Sequence, residues 1–318
     1  MGEIVFLYPG QGAQEVGMGF DLLQRYPSAR EIFNQANHLL GFSLSCLCLE
    51  GPEKELNKDL NAQLAVYTIS CIITDILKNH GIIPDAVSGY SSGFYAAGYA
   101  AGCFDFSSGL DLVRCAGEIL LEEGLKFKGG MAVIFGLSQE TVEEICRRIE
   151  NVDVAIVNTT RQIIVSGSAA SVEAVMVVSL HEGALDAYRL TAATAYHSGF
   201  MKNGGLRFLR KLENRELFDP QIPIVSYQNL EWITDKYTMT SVMADQLSGP
   251  VRWVDLVKKM GEYRKTIFFE VGPGNIIFRT VKWIDRNTEI FSTASNDRLI
   301  KAIEGYRRLK KNGFHSSK

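Results

Sequence analysis

Residues 89–93, Gly89-Tyr90-Ser91-Ser92-Gly93, fit the pattern G-x-S-x-G, which constrains the local fold tightly. The pattern requires a strand before it and a helix after it. Gly81-Ile82-Ile83-Pro84-Asp85-Ala86-Val87 leads in as a short apolar run. Residues 94–102 lead out with small side chains at helical spacing. A serine on so tight a turn presents its hydroxyl at a helix N-terminus, where free backbone N–H groups favour negative charge. The glycines let the flanking chain pass close to the turn. The same five residues also occur in ordinary Gly/Ser turns, so the surrounding chain has to decide.

The surroundings read as alternating strand and helix. Ile4-Val5-Phe6-Leu7-Tyr8 is a continuous apolar run, as in a parallel strand buried on both faces. It ends in Pro9-Gly10-Gln11-Gly12, a tight loop whose N–H groups can point inward. Residues 22–50 and 62–80 read as helices, and the second precedes the strand into the serine turn. Another helix covers 108–124. The rhythm then changes to strand 131–136, helix 138–150, strands 152–159 and 162–167, helix 168–183 and strand 185–190. That β-α-β-β-α-β order is a ferredoxin-like unit. The expected architecture is an α/β-hydrolase-like core with a mostly parallel sheet, residues 1–128 and 192–318, carrying a small inserted domain, 129–191. In such sheets ligands bind at the C-terminal strand ends, where Gln11 and Ser91 both fall.

Charge and cysteine usage exclude several classes. A formal net charge of −3 gives no reason to expect a nucleic-acid or anionic-membrane partner. No apolar run reads as a membrane span, and the N-terminus reads as neither a signal peptide nor a lipidation signal. The basic run Arg307-Arg308-Leu309-Lys310-Lys311 reads as a solvated helix end. The cysteines at 46, 48, 71, 103, 115 and 146 contain no C-x-x-C pair. They read as thiols in a reducing, cytoplasmic compartment rather than a disulfide frame, and no metal site is expected.

A serine nucleophile needs a base. His38 and His80 lie near predicted helix ends, His181 in the insert and His315 in the C-terminal tail. His197 sits in the small-residue loop Thr194-Ala195-Tyr196-His197-Ser198, where the chain re-enters the large domain, and by elimination it is the candidate base.

Taken in order, Pro-Gly-Gln-Gly, G-x-S-x-G, the insert, the His-Ser loop, Pro250-Val251-Arg252-Trp253 and Glu270-Val271-Gly272-Pro273-Gly274 resemble the malonyl-CoA:acyl-carrier-protein transacylase family. The resemblance spans about residues 3–285. It implies Ser91 as the acyl-carrying nucleophile and His197 as its base. It also implies that the Gln246 carbonyl holds the second ring nitrogen, and that the N–H groups of Gln11 and Ser92 form the oxyanion hole. Asn158 would line the pocket. No bound cofactor is implied. The phosphopantetheine thioester of an acyl carrier protein, or coenzyme A, would be the substrate and the carrier protein the partner.

Three departures bear on the acyl group. Aligning Leu112-Val113-Arg114-Cys115-Ala116-Gly117 puts Ala116 where malonyl-using members carry an arginine, while Arg114 faces elsewhere on the helix. Leaving a buried carboxylate unpaired costs about 2–5 kcal/mol, so malonyl is expected to be a poor substrate. Tyr90 stands where the family has histidine. Thr194-Ala195-Tyr196-His197 matches neither the malonyl nor the methylmalonyl version of the specificity stretch, which makes Thr194 and Tyr196 expected pocket positions. The resemblance is thus to the arginine-less, free-standing members. Two activities fit: acyl transfer to a thiol, or hydrolysis of stalled acyl chains from the carrier. A non-catalytic carrier-binding scaffold is disfavoured because Ser91, His197 and Gln11 are all present. A true α/β-hydrolase would need a late histidine, and the sequence offers only His315.

Overall fold

The computed structural model describes residues 3–192, 194–262 and 265–313. His315 therefore lies outside the described residues. Among the described residues ten strands form two sheets. They are β1 (Ile4–Tyr8), β2 (Ala86–Gly89), β3 (Gly129–Phe135), β4 (Val152–Thr159), β5 (Gln162–Ser168), β6 (Asp186–Arg189), β7 (Ile224–Val225), β8 (Trp232–Ile233), β9 (Ile267–Glu270) and β10 (Glu289–Ser292).

The larger sheet runs β10-β9-β1-β2-β7-β8 and is parallel except for β8. Every residue of β1 is buried, as its unbroken apolar run requires of a strand covered on both faces. Register fixes the site. Tyr8 pairs with Gly89 and Leu7 with Glu270, so β1, β2 and β9 end level with one another. The loops at Gln11, at Ser91 and at Gly272-Pro273-Gly274 consequently converge on one edge.

The smaller sheet runs β4-β5-β3-β6 with all neighbours antiparallel, the ferredoxin-like order. Strands β3 and β5 alternate cleanly, whereas β4 is irregular in register between Val154 and Ile156 and between Val157 and Thr159. Ala132, Ile134, Ile163 and Val165 pack under the Gln139–Arg148 and Ala169–His181 helices. Met131, Val133, Ile156 and Ile164 face the other way, into the main core and its cavity. β4 is tied to the segment before the Trp253–Gly261 helix, where Val251 N–H donates to Ala155 O at 2.8 Å and Val157 N–H to Val251 O at 2.9 Å.

Several expectations need correction. Residues 22–50 are not one helix but Phe20–Arg25, Pro27–Leu40 and Leu44–Glu50. Pro27 opens the second of these at its first position, and Gly41, at φ 74°, closes it. The Asp59–Asn79 helix is long and apolar enough to cross a membrane, contrary to the sequence reading. It is nonetheless a core helix, since 83% of its most apolar stretch is buried inside the protein. The helix Lys236–Asp245 and the strands β8 and β10 were not anticipated.

Candidate active site

The turn between β2 and the Gly93–Ala100 helix is as tight as the pattern implies. A Cβ on Gly89 would lie 2.2 Å from Gly93 C, and one on Gly93 would lie 2.1 Å from Tyr8 O. Neither position can hold another residue without moving backbone. Ser91, at the apex, takes φ 52°, a left-handed conformation that costs a non-glycine residue on the order of 1–3 kcal/mol. It is only partly buried, so its hydroxyl is open to the cavity in front of it.

Ser91 Oγ lies 2.7 Å from His197 Nε2, and His197 Nδ1 lies 2.9 Å from Gly249 O. A carbonyl can only accept, so Nδ1 carries the proton and Nε2 presents its lone pair to the serine. His197 also has positive φ, 57°. Burial pushes its pKa down from 6.5 to about 4, against the backbone carbonyls of Gly249 and Gln246, which favour the cation. The ring is thus neutral at pH 7 and ready to receive a proton. His38, His80 and His181 are all exposed, far from this arrangement in character.

The expected acceptor, the Gln246 carbonyl, is not the closest one. The hydrogen bond runs to Gly249, three residues on, because Ser248 and Gly249 N–H groups fold back onto Asp245 O after the helix ends. Gln246 is buried beside the ring. Its Oε1 accepts from Tyr227 Oη at 3.2 Å, and its Nε2 has no partner among the described residues.

Gln11 sits in the loop after β1, as expected. Its N–H donates to Ser92 Oγ at 3.1 Å, and the Ser92 N–H lies at the start of the Gly93–Ala100 helix. Its side chain is pinned twice: Nε2 donates to Asp59 Oδ1 at 2.6 Å, and Oε1 accepts from Gln63 Nε2 at 3.1 Å. Tyr196 Oη donates to the other Asp59 oxygen, Oδ2, at 2.5 Å. Sequence reasoning missed Asp59, Gln63 and Gly249. A helix beginning three residues earlier than residue 62 would have exposed the first, and Gly249-Pro250 after a helix was a visible turn signal for the third.

In front of Ser91 lies a cavity of about 630 Å³. Tyr90, Ala116, Asn158, Tyr196 and Gln246 all line it, together with Leu120, Met131, Val133, Ile156 and Ile164. Tyr90 Oη donates to Asn158 Oδ1 at 2.8 Å, joining the serine turn to β4. Thr194 does not line the cavity. It is buried behind Tyr196, packed so closely on the end of the Phe106–Gly124 helix that a Cβ on Gly124 would meet its Oγ1 at 2.5 Å. Arg114 lies outside the cavity too, its guanidinium 2.5 Å from Asp111 Oδ1 on the outer side of that helix.

Comparison with known proteins accords with this arrangement. The family model described as acyl transferase domain matches residues 5–303. A malonyl CoA-acyl carrier protein transacylase of Bacillus subtilis is 32% identical over 308 residues, covering 96% of this chain and 97% of its own length. The solved malonyl CoA-acyl carrier protein transacylase of Coxiella burnetii superposes with a TM-score of 0.91 at 28% identity, over 95% of this chain and 97% of its own. A type II polyketide synthase acyl-carrier protein in complex with its malonyl-transacylase gives 0.91 at 29% identity, over 95% and 99%. A serine turn, a neutral buried histidine and a match across nearly the whole chain lead to one conclusion: this chain is an acyltransferase belonging to the acyl transferase domain family.

Proposed function

We propose that the protein moves an uncharged acyl group between thioesters through an acyl-Ser91 intermediate, in fatty-acid or polyketide synthesis. The observation that carries the proposal is the continuous line from Ser91 Oγ through His197 to Gly249 O, with distances of 2.7 and 2.9 Å. His197 Nε2 takes the Ser91 proton as Oγ bonds to the thioester carbonyl carbon. The oxygen that becomes negative is held by the Ser92 N–H and by the Gln11 N–H, which turns to it from Ser92 Oγ, worth about 100- to 1000-fold per donor in comparable sites. The carbon–sulfur bond then breaks, and the departing sulfur takes the proton from His197. An incoming thiol reverses the sequence, giving ping-pong kinetics.

The names of the relatives point to an acyl carrier protein as the partner, with carrier phosphopantetheine or coenzyme A as the thiol. They also point to malonyl as the acyl group. The cavity favours a different group, because Ala116 stands in its wall and no lysine or arginine is among its described lining residues. Water as final acceptor is the second reading, favoured by the partial exposure of Ser91 and Ser92. We place the reaction in the cytoplasm, in keeping with six free thiols.

One experiment separates these readings. The protein is given acetyl-, octanoyl- and malonyl-carrier protein, and intact mass of the enzyme, transfer to a second carrier and release of free acid are measured. Uncharged groups on Ser91 that pass to the second carrier support the proposal. Dominant free acid rejects transfer in favour of hydrolysis, and preferential malonyl loading rejects the uncharged acyl group. Ser91→Ala should show no acyl adduct with any donor, and an adduct on that variant would overturn the mechanism.

A further inference from the structure

The cavity wall has an asymmetry that the acyl-transfer mechanism does not use. Its polar end is built from Gln11, Gln63, Asp59 and Tyr196, and Asp59 is the one formally charged side chain among the described lining residues, His197 being neutral. Asp59 opens the Asp59–Asn79 helix, where the positive end of the helix dipole favours a carboxylate. Both of its oxygens are already engaged, Oδ1 by Gln11 Nε2 and Oδ2 by Tyr196 Oη. These two neutral donors hold the carboxylate in place without neutralising it. Nearby Lys58, which could have done so, is turned onto Glu55 at 2.6 Å.

This polar end adjoins the helix that carries Ala116, which lines the same cavity. A Cβ on Gly117 would lie 2.6 Å from Leu60 Cδ1 and 3.5 Å from Gln63 Oε1, so the turn of helix carrying Ala116 packs on the turn that follows Asp59. Gln63 in turn bonds Gln11, which bonds Asp59. A carboxylate borne by the acyl group would thus meet no lysine or arginine among the described lining residues, and Asp59 in the same cavity wall. Asp59 is half-buried and the rest of the cavity wall is largely apolar, so that repulsion is screened less than between two fully exposed charges.

We propose that Asp59 is a specificity-determining residue, whose carboxylate excludes acyl groups that carry a carboxylate of their own. The proposal rests on the acyl-Ser91 reading and deepens it. The loss of a cation at position 116 only withdraws an attraction; Asp59 adds a repulsion, the element by which a site discriminates actively. The same carboxylate also fixes Gln11, whose N–H is one of the proposed oxyanion donors, and Tyr196, the residue before His197, so removing it will slow catalysis in general. The informative quantity is therefore a ratio of rates for two acyl groups of one shape.

The test compares malonyl-coenzyme A with its isosteric amide, carbamoylacetyl-coenzyme A, by the rate of adduct formation on Ser91 in intact mass, with acetyl-coenzyme A as control. On the unmodified protein the amide should acylate Ser91 at least about tenfold faster than the acid, a tenfold ratio being about 1.4 kcal/mol. Equal rates, or a faster acid, overturn the proposal without any variant having to fold. Asp59→Asn should raise the malonyl-to-amide ratio about tenfold even if both rates drop. A fall in both rates with the ratio unchanged would make Asp59 a positioning residue only and overturn the charge role. If acetyl, amide and acid all fail to load the unmodified protein, the acyl-Ser91 reading fails and this inference falls with it. Loading of acetyl and amide with the ratio insensitive to Asp59→Asn rejects this inference alone.

Discussion

The two ends of the cavity are built on different principles. At the serine end the geometry is fixed by backbone: two residues at positive φ, Ser91 and His197, meet at 2.7 Å, and a main-chain carbonyl receives the far ring nitrogen. At the acyl end side chains decide: Ala116, Leu120 and Ile164 set the shape and Asp59 sets the sign of the charge. Substituting a side chain at the acyl end changes what is accepted. Moving the serine end changes whether anything is accepted at all. A family can therefore keep one chemistry over many substrates by varying the second region while the first stays tied to strand register.

The comparison can be broken most sharply at His197. His197→Ala should slow acylation of Ser91 by about 100- to 10,000-fold, the usual worth of a general base. Stopped-flow measurement of thiol release from an acyl-coenzyme A reads this directly, and a loss below fivefold would mean another group takes the proton.

The burial that prepares this base also makes stability depend on pH. Its folded pKa is about 4 against 6.5 in the unfolded chain, so between those values only the unfolded chain takes up the proton. Stability should fall as pH is lowered through that window, by an amount on the order of 3 kcal/mol when complete. Glu270 acts in the opposite sense. Burial raises its pKa to about 8, so its contribution is lost as pH rises from about 4.5 to 8. The two windows overlap, so the measurement is a difference: urea midpoints of the unmodified protein and His197→Gln between pH 7 and 5. The curves should converge toward low pH, and parallel curves would remove His197 as the cause.

At the acyl end, Ala116→Arg should raise malonyl acylation by about 2 kcal/mol in activation free energy, roughly 30-fold. The gain should be larger in combination with Asp59→Asn, because in the single variant the new guanidinium finds Asp59 as a partner. A strictly additive double-variant cycle would show that the two positions do not interact. The smallest effect belongs to the seam between the ends. Tyr90→Phe removes the hydrogen bond to Asn158 and should cost about 1 kcal/mol in urea unfolding while leaving the preference among acyl groups unchanged.

Much of the serine end was legible in the sequence because its requirements are local. Gly89 and Gly93 mark a turn that no other residue can make, and His197 is the one buried histidine among the described residues. What remained hidden depended on where a chain turns after a helix ends. The sequence reading assigned the ring contact to the Gln246 carbonyl, which does bear on the ring, but the turn onto Asp245 O brings the Gly249 carbonyl closer. The same blindness covered Thr194, whose side chain packs on Gly124 although Thr191, Ala192 and Tyr196 around it line the cavity. Asp59 was missed for another reason. Nothing in its neighbourhood announces that Gln11 and Tyr196, 48 and 137 residues distant in sequence, will meet on it. The Lys236–Asp245 helix carried a readable start in Asp235, whose Oδ1 accepts from Tyr237 and Thr238 N–H, but Thr238, Thr240 and Val242 are weak helix formers.

The paired hydrogen bonds between β4 and Val251 have a mechanical consequence. Val251 is only two residues from the carbonyl that steadies His197, with the stiff Pro250 between them. A small domain swinging outward like a lid would pull on that carbonyl and release the imidazole. Opening the cavity by that route would therefore disarm Ser91 at the same time.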